Sequence, residues 1–332
     1  MSKPTDKKSR ESLDDPTKEA HLRELIVERL RETAESDQFM VDRERCFAEA
    51  ADRVLVTLKQ ELFDQDQASR ADDPGPDPTA PTSLEKNYEE FMRIRDDLVE
   101  QVRVGYLAGN LQMLKALGAA VAVRDTGSGE HNYRVTLYAV KLAESLGLIN
   151  GAIQTLIKGS FLHDIGKISI SDNILLKPDR LSESETETMQ SHPDIGAGIL
   201  REVKWLEDTY EVVMSHHEKW DGTGYPRHLK GEKIPLGARI FAIVDVFDAL
   251  ISERPYKPAY PFDEVIAYMK RHRGTHFDPK TLDKFLTIAQ GLHDSIAHLS
   301  MPQLETEIAA TIDTHFQIDL NSDRHRSKFS GK

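Results

Sequence analysis

Phe161-Leu162-His163-Asp164-Ile165-Gly166-Lys167 ends an apolar helical stripe with an imidazole, a carboxylate and a glycine. A lone His192 follows just before Pro193, and then Ser215-His216-His217-Glu218-Lys219-Trp220-Asp221-Gly222-Thr223-Gly224-Tyr225-Pro226. Ala242-Ile243-Val244-Asp245 closes the set. Neighbours on a regular helix point roughly 100° apart, so His216 and His217 can serve one cavity only where the helix stops. Asp221-Gly222-Thr223-Gly224 supplies that stop, Ile165-Gly166 does the same after Asp164, and Pro193 marks a break at His192.

Five of the thirteen histidines, His131, His163, His192, His216 and His217, therefore stand at segment ends beside one another or beside acids. Nitrogen and oxygen donors without thiolate suit divalent iron, manganese, zinc or nickel. Asp164, with two oxygens, is able to bridge two ions. Asp125-Thr126-Gly127-Ser128-Gly129 lacks the strand and the Lys-Ser/Thr context of a phosphate-binding P-loop.

Outward from these residues the pattern is helical. Val135, Tyr138, Leu142 and Leu146 form a stripe ended by Gly147, and Asn150 opens a second through Ile153, Leu156, Ile157 and Phe161. Ser182-Glu183-Ser184-Glu185 reads as a capping box, and Asp278-Pro279 as the start of another helix. Ile240, Val244, Phe247 and Ile251 form a core stripe around Asp245. The fold class is all-α, a helical bundle with one short hairpin expected across Tyr225 to Ile234.

Residues 1–83 read as a helical N-terminal region of unknown role, its first 18 residues polar and expected to be disordered. It contains a Pro/Asp-rich linker at about 64–82. Ser83 caps a connecting helix over 84–118, 119–297 form the catalytic domain, and a C-terminal helix and tail occupy 298–332. The connecting helix would carry a homodimer seam and relay a signal, or pack on its own chain.

With 39% hydrophobic and 30% charged residues the composition is that of a soluble globular protein. No apolar run approaches the roughly 18 residues of a membrane span, and the N-terminus lacks a signal-peptide core. Cys46 is the single cysteine, which fits a reducing cytoplasm. A net charge of −13 argues against a nucleic-acid polymer as partner, though not against a small anionic substrate held by cations.

The set His131…Arg134-Val135, His163-Asp164-Ile165-Gly166-Lys167, His192, His216-His217-Glu218…Gly224-Tyr225-Pro226, Asp245 and Arg254-Pro255-Tyr256-Lys257 resembles the HD-GYP family of HD-domain metal phosphohydrolases. The resemblance covers residues 119–297. It implies a cyclic di-GMP phosphodiesterase that yields pGpG and, in many members, GMP. It also implies two divalent ions per chain, iron or manganese first, with zinc or nickel compatible. His131, His163, Asp164 and Asp245 would hold one, and Asp164, His192, His216 and His217 the other. By the same carry-over Lys167 would act with Asp164 at the scissile phosphate, and Tyr225, Arg254 and Lys257 would contact the nucleotide. Glu218 and Asp248 are candidates for orienting a ligand histidine, or are solvated charges.

Some family members carry a further acidic ligand four residues before the first histidine; here that position is Gly127, so two ions are expected rather than three. The alternatives are a cyclic di-GMP receptor with little turnover that acts through signalling partners, and a hydrolase of another cyclic dinucleotide.

Overall fold

The computed structural model describes residues 83–125, 129–253 and 258–317. The expected helices and linker before Ser83 lie outside the described residues, as do Gly127, Arg254, Lys257 and the tail from 318. The chain divides into two compact units, Met1–Leu107 and Ala108–Lys332.

Helix α1 (Ser83–Asp125) begins at the expected cap and runs past the expected end near Leu117. Gly118 does not stop it because Ala119, Ala120 and Ala122 follow, and alanine has the strongest helix propensity. In the first unit α1 carries an exposed pair in which Arg103 Nε donates to Glu100 Oε2 at 2.8 Å. In the second unit it buries Leu111, Leu114 and Val121, and Asn132 Nδ2 donates to Gly118 O at 3.1 Å.

Helix α2 (Glu130–Ser145) ends where Gly147, at φ 75°, turns the chain. Gly147 N–H then bonds Glu144 O and Leu148 N–H bonds Ala143 O, which satisfies carbonyls that the helix end leaves open. Helix α3 (Asn150–Leu162) packs against α2 and leads into a 3-10 turn at Ile165–Ser169. A short α4 (Asp172–Leu175) precedes α5 (Glu183–Gln190), whose Ser182 and Glu185 form the expected capping box. Helix α6 (His192–Arg201), a 3-10 turn at Lys204–Thr209 and α7 (Tyr210–Ser215) follow and pack on one another.

Helix α8 (Leu236–Ile251) is the core of the second unit, with Ile240, Phe241, Ile243, Val244 and Phe247 buried. Helices α9 (Phe262–Arg271), α10 (Pro279–Ile296) and α11 (Met301–Phe316) close the bundle. Asp278 caps α10 by accepting from Lys280 N–H at 3.1 Å, and α10 and α11 both pack on α2. No helix among the described residues is long and apolar enough to cross a membrane.

The all-α expectation holds, and the hairpin across Tyr225–Ile234 does not: among the described residues there is no strand, only an isolated bridge from Arg273 to Phe277. The reason is where the amides of that segment find acceptors. Arg227 and Leu229 N–H go to the Glu218 carboxylate, Tyr225 N–H to His217 O at 3.2 Å and Gly231 N–H to Trp220 O at 2.9 Å. The segment is folded back on residues 217–220 and has no ladder to form.

Phe247 packs edge-on against Tyr138 and Phe285, with ring centroids 5.4 Å and 5.0 Å away. It is fully buried, so Phe247→Ala removes both transfer energy and packing. Urea unfolding is expected to show a loss of about 3–5 kcal/mol, the usual range for a large aromatic removed from a core.

A candidate metal centre

Three of the five segment-end histidines share one construction. His163 follows the last residue of α3, and its Nδ1 lies 2.8 Å from Ser160 O. His192 follows the end of α5, and its Nδ1 lies 2.8 Å from Met189 O. His216 follows the end of α7, and its Nδ1 lies 2.7 Å from Val213 O. Each partner is the carbonyl three residues back, one of those a helix terminus leaves without an intrahelical donor. A carbonyl only accepts, so Nδ1 carries the proton and the lone pair of the neutral ring sits on Nε2. His131 obeys the same rule through a side chain, with Nδ1 2.8 Å from Asp248 Oδ2.

The freed nitrogens converge. His192 Nε2 and His216 Nε2 lie 3.3 Å apart, and His192 Nε2 lies 3.2 Å from Asp164 Oδ1. Asp164 Oδ1 is buried and accepts no well-directed hydrogen bond. On the other side of the carboxylate, Asp164 Oδ2 is 3.1 Å from His163 Nε2 and 2.8 Å from Lys167 Nζ. His131 Nε2 is 3.4 Å from Asp245 Oδ1. Two groups result, Asp164, His192, His216 and His217 in one and His131, His163 and Asp245 in the other, the ligand atoms in each lying within 4.8 Å of one another. The structure thus brings together all seven residues expected as metal ligands.

The electrostatics of the pocket favour a cation. Burial works against charge on Asp164, but His163 and Lys167 beside it outweigh that and hold its carboxyl well below the usual range. Burial opposes the Asp245 carboxylate too, and its bond to His131 overrides it and lowers its pKa. Burial, with His217 and His163 close by, keeps His216 neutral far below its ordinary value, and burial with His192 lowers His217 to about 3. Burial disfavours the His131 imidazolium, yet Asp245 and Asp248 raise it to about 9. Neutral His216 and His217 beside ionised Asp164 and Asp245, with a buried carboxylate oxygen lacking a donor, are the donors a divalent ion requires, and an ion would take the place of the proton that the two carboxylates hold on His131, so these residues fit one.

The remaining candidates fall in different places. Asp248 is buried, not a helix-surface charge: Oδ1 accepts from Arg134 Nε at 2.6 Å and from Ser252 Oγ at 3.1 Å, while Oδ2 takes His131. Arg134, quoted in the sequence only as part of the family pattern, gains its role here as the partner of Asp248. It stands three residues after His131, as Asp248 stands three after Asp245, so one turn along each helix sets a complementary charge beside a ligand. Glu218 is buried as well, but its oxygens go to the backbone of Arg227 and Leu229. Tyr225 sets its ring 4.8 Å from that of His217 at 33°; burial, and then Asp164, raise its pKa. Phe241 packs on the rings of His163 and His216, with centroids 4.7 Å and 6.0 Å away.

Residues 115–281 match the family model described as HD domain. The chain belongs to the HD-domain family. Its Gly224-Tyr225-Pro226 turn fits the HD-GYP branch of that family. A cyclic di-GMP phosphodiesterase of Vibrio cholerae serotype O1 is 40% identical over 198 residues, which cover 55% of this chain and 40% of the relative. The cyclic di-GMP phosphodiesterase response regulator RpfG of Xanthomonas campestris pv. campestris is 42% identical over 177 residues, 53% of this chain and 47% of that protein. The 3'3'-cGAMP-specific phosphodiesterase 2 of Vibrio cholerae is 38% identical over 192 residues, 55% of this chain and 37% of that protein. The chain thus spans less than half the length of each of these relatives.

Within the HD domain, Gly166 is what lets α6 lie against the turn after Asp164. A Cβ built on Gly166 would overlap His192 O and come within 2.7 Å of Gly196 N. Gly166→Ala is expected to push His192 away from Asp164 and to weaken manganese binding at least about tenfold, with the far-UV circular dichroism unchanged. Titration calorimetry of the two proteins checks this. Asp248→Asn removes the charge that orients His131 and is expected to weaken the same binding by about 10–100-fold, the usual effect of losing such a partner.

Proposed function

We propose that this HD domain hydrolyses a phosphodiester bond of a cyclic dinucleotide, with cyclic di-GMP as the leading substrate. The observation that carries the reading is Asp164, whose Oδ1 faces His192 and His216 while Oδ2 faces His163. One carboxylate thereby stands between two sets of imidazole donors, an arrangement suited to a pair of ions. His131, His163, Asp164 and Asp245 would hold one and Asp164, His192, His216 and His217 the other. The mixed nitrogen and oxygen donors suit iron(II) or manganese, and zinc or nickel after them. When bound, such a pair lowers the pKa of water and neutralises phosphoryl oxygens during in-line attack.

The protein's own groups supply the rest. Lys167 Nζ, partly exposed beside Asp164, is placed to stabilise negative charge gathering on the phosphoryl oxygens. Tyr225 gives a flat wall next to His217 for a base or ribose. Arg254 and Lys257 are assigned to the substrate phosphates by the family pattern. Forming pGpG joins a water oxygen to phosphorus and breaks the bond to the 3′ oxygen, which leaves with a proton; cutting the second diester gives GMP. The cyclic di-GMP phosphodiesterases among the relatives support the substrate class, and the cGAMP-specific relative makes a mixed-base dinucleotide the second candidate.

The test is turnover by anaerobically purified protein loaded with iron(II) or manganese, against a panel of cyclic dinucleotides. Wild type is expected to be most active on cyclic di-GMP. Asp164→Ala is expected to lose at least about a hundredfold, since a bridging ligand supports both ions. Elemental analysis is expected to find two ions per chain. Equal inertness of wild type and variant with every metal would overturn the reading.

A further inference from the structure

We propose that Glu218 is a positioning residue that holds the Tyr225 turn against the metal site and so sets the affinity for the dinucleotide. This inference rests on the function proposed above. Glu218 is 2% exposed, and a carboxylate so buried needs strong partners. It has them in the backbone. Arg227 N–H donates to Oε1 at 2.8 Å and Leu229 N–H to Oε2 at 3.0 Å.

These amides are two residues apart, and His228 between them adopts a left-handed conformation at φ 53°. That conformation turns both N–H groups to one side, which makes a backbone nest for an anion. A non-glycine residue is seldom found there, and the carboxylate is the interaction that compensates it. The nest is filled by the chain's own side chain and is not a vacant ligand site.

What the clamp positions is the turn just before it. Gly224 is packed so tightly on residues 217–219 that a Cβ would come within 2.6 Å of Glu218 C. Tyr225 N–H bonds His217 O, and the Tyr225 ring lies on that of His217. Arg227 adds a second tie, its side chain reaching buried Ser215 Oγ and Glu211 Oε2, each at 2.5 Å. Glu218 therefore follows a ligand in sequence yet spends its charge on the loop that carries Tyr225. Nδ1 of the neighbouring ligand His216 is already engaged by Val213 O.

A double-mutant cycle tests the proposal. Glu218→Gln, Tyr225→Ala and the double variant are compared with wild type in manganese-loaded full chain, reading KM and kcat for cyclic di-GMP and manganese content. Glu218→Gln keeps one acceptor and sets an amide donor against the other N–H, so KM is expected to rise about tenfold, the weight of one lost buried hydrogen bond. kcat and manganese content are expected to change less than about twofold. In the Tyr225→Ala background the Glu218 change is expected to add little to KM, because its effect runs through the missing ring.

A KM equal to wild type, additive effects in the double variant, or loss of manganese in step with KM would each overturn the proposal. Glu218→Asp, which keeps the charge and shortens the reach, is measured in the same way should Glu218→Gln fail to fold. Active wild type with indifferent Glu218 variants defeats this inference alone, whereas wild type that neither binds nor hydrolyses any cyclic dinucleotide defeats the functional reading first.

Discussion

The site depends on a hydrogen bond made three times, from an imidazole Nδ1–H to the carbonyl three residues earlier at the end of a helix. Ser160, Met189 and Val213 supply those carbonyls to His163, His192 and His216. A helix terminus leaves its last carbonyls without amide partners, and burial makes that costly. Each histidine removes the deficit and in the same act fixes its own tautomer. The lone pairs are then directed inward by the fold itself, before any ion is considered. Placing a ligand within a helix would not do this, because there the carbonyl is already engaged.

Carboxylates complete the pocket by a different physics. Asp164, Asp245 and Asp248 are ionised in surroundings that disfavour charge, and each is held so by neighbouring imidazole, lysine or arginine groups. Asp248 lies between Arg134 and His131, so a charge on α2 is balanced by one on α8 through the centre of the bundle. Removing one member of such a buried set leaves the others uncompensated, which is a larger loss than the set's net contribution to folding. That asymmetry ties the integrity of the pocket to the packing of α2 on α8.

Most of the candidate ligand set was legible in the sequence because its histidines and Asp164 sit at helix ends, and several of these have signatures, Gly166, Pro193 and the Gly222-Thr223-Gly224 run, whereas Asp245 lies inside α8. The all-α class was legible from helical spacing, and the caps at Ser182 and Asp278 from residue type. Three features were not. The end of α1 was placed at 118, and the alanines that follow carry the helix on to Asp125. The hairpin was misread because no local pattern tells whether an amide will meet a strand or a side chain, and here Glu218 intercepts two of them. The contact of Gly166 with His192 O joins residues far apart in sequence, and only the assembled bundle makes that glycine's missing Cβ matter.

Two kinds of attachment therefore coexist around one cavity. Three of the candidate ligand histidines, His163, His192 and His216, are fixed by backbone carbonyls of helices, whereas His131 is held by the Asp248 side chain. The Tyr225 turn has one backbone bond, to His217 O, and takes its further ties from side chains, Glu218 from within and Arg227 from its edge. A turn held in part by side chains can change its shape through one or two substitutions while the helix-borne candidate ligands stay in place, because it forms no ladder that a change would unzip. Rigid elements suit the groups whose geometry must hold to tenths of an ångström, and adaptable loops suit those that choose among ligands. The physical division in this HD domain runs between His217 and Glu218, two adjacent residues of which one faces the ions' place and the other holds the loop.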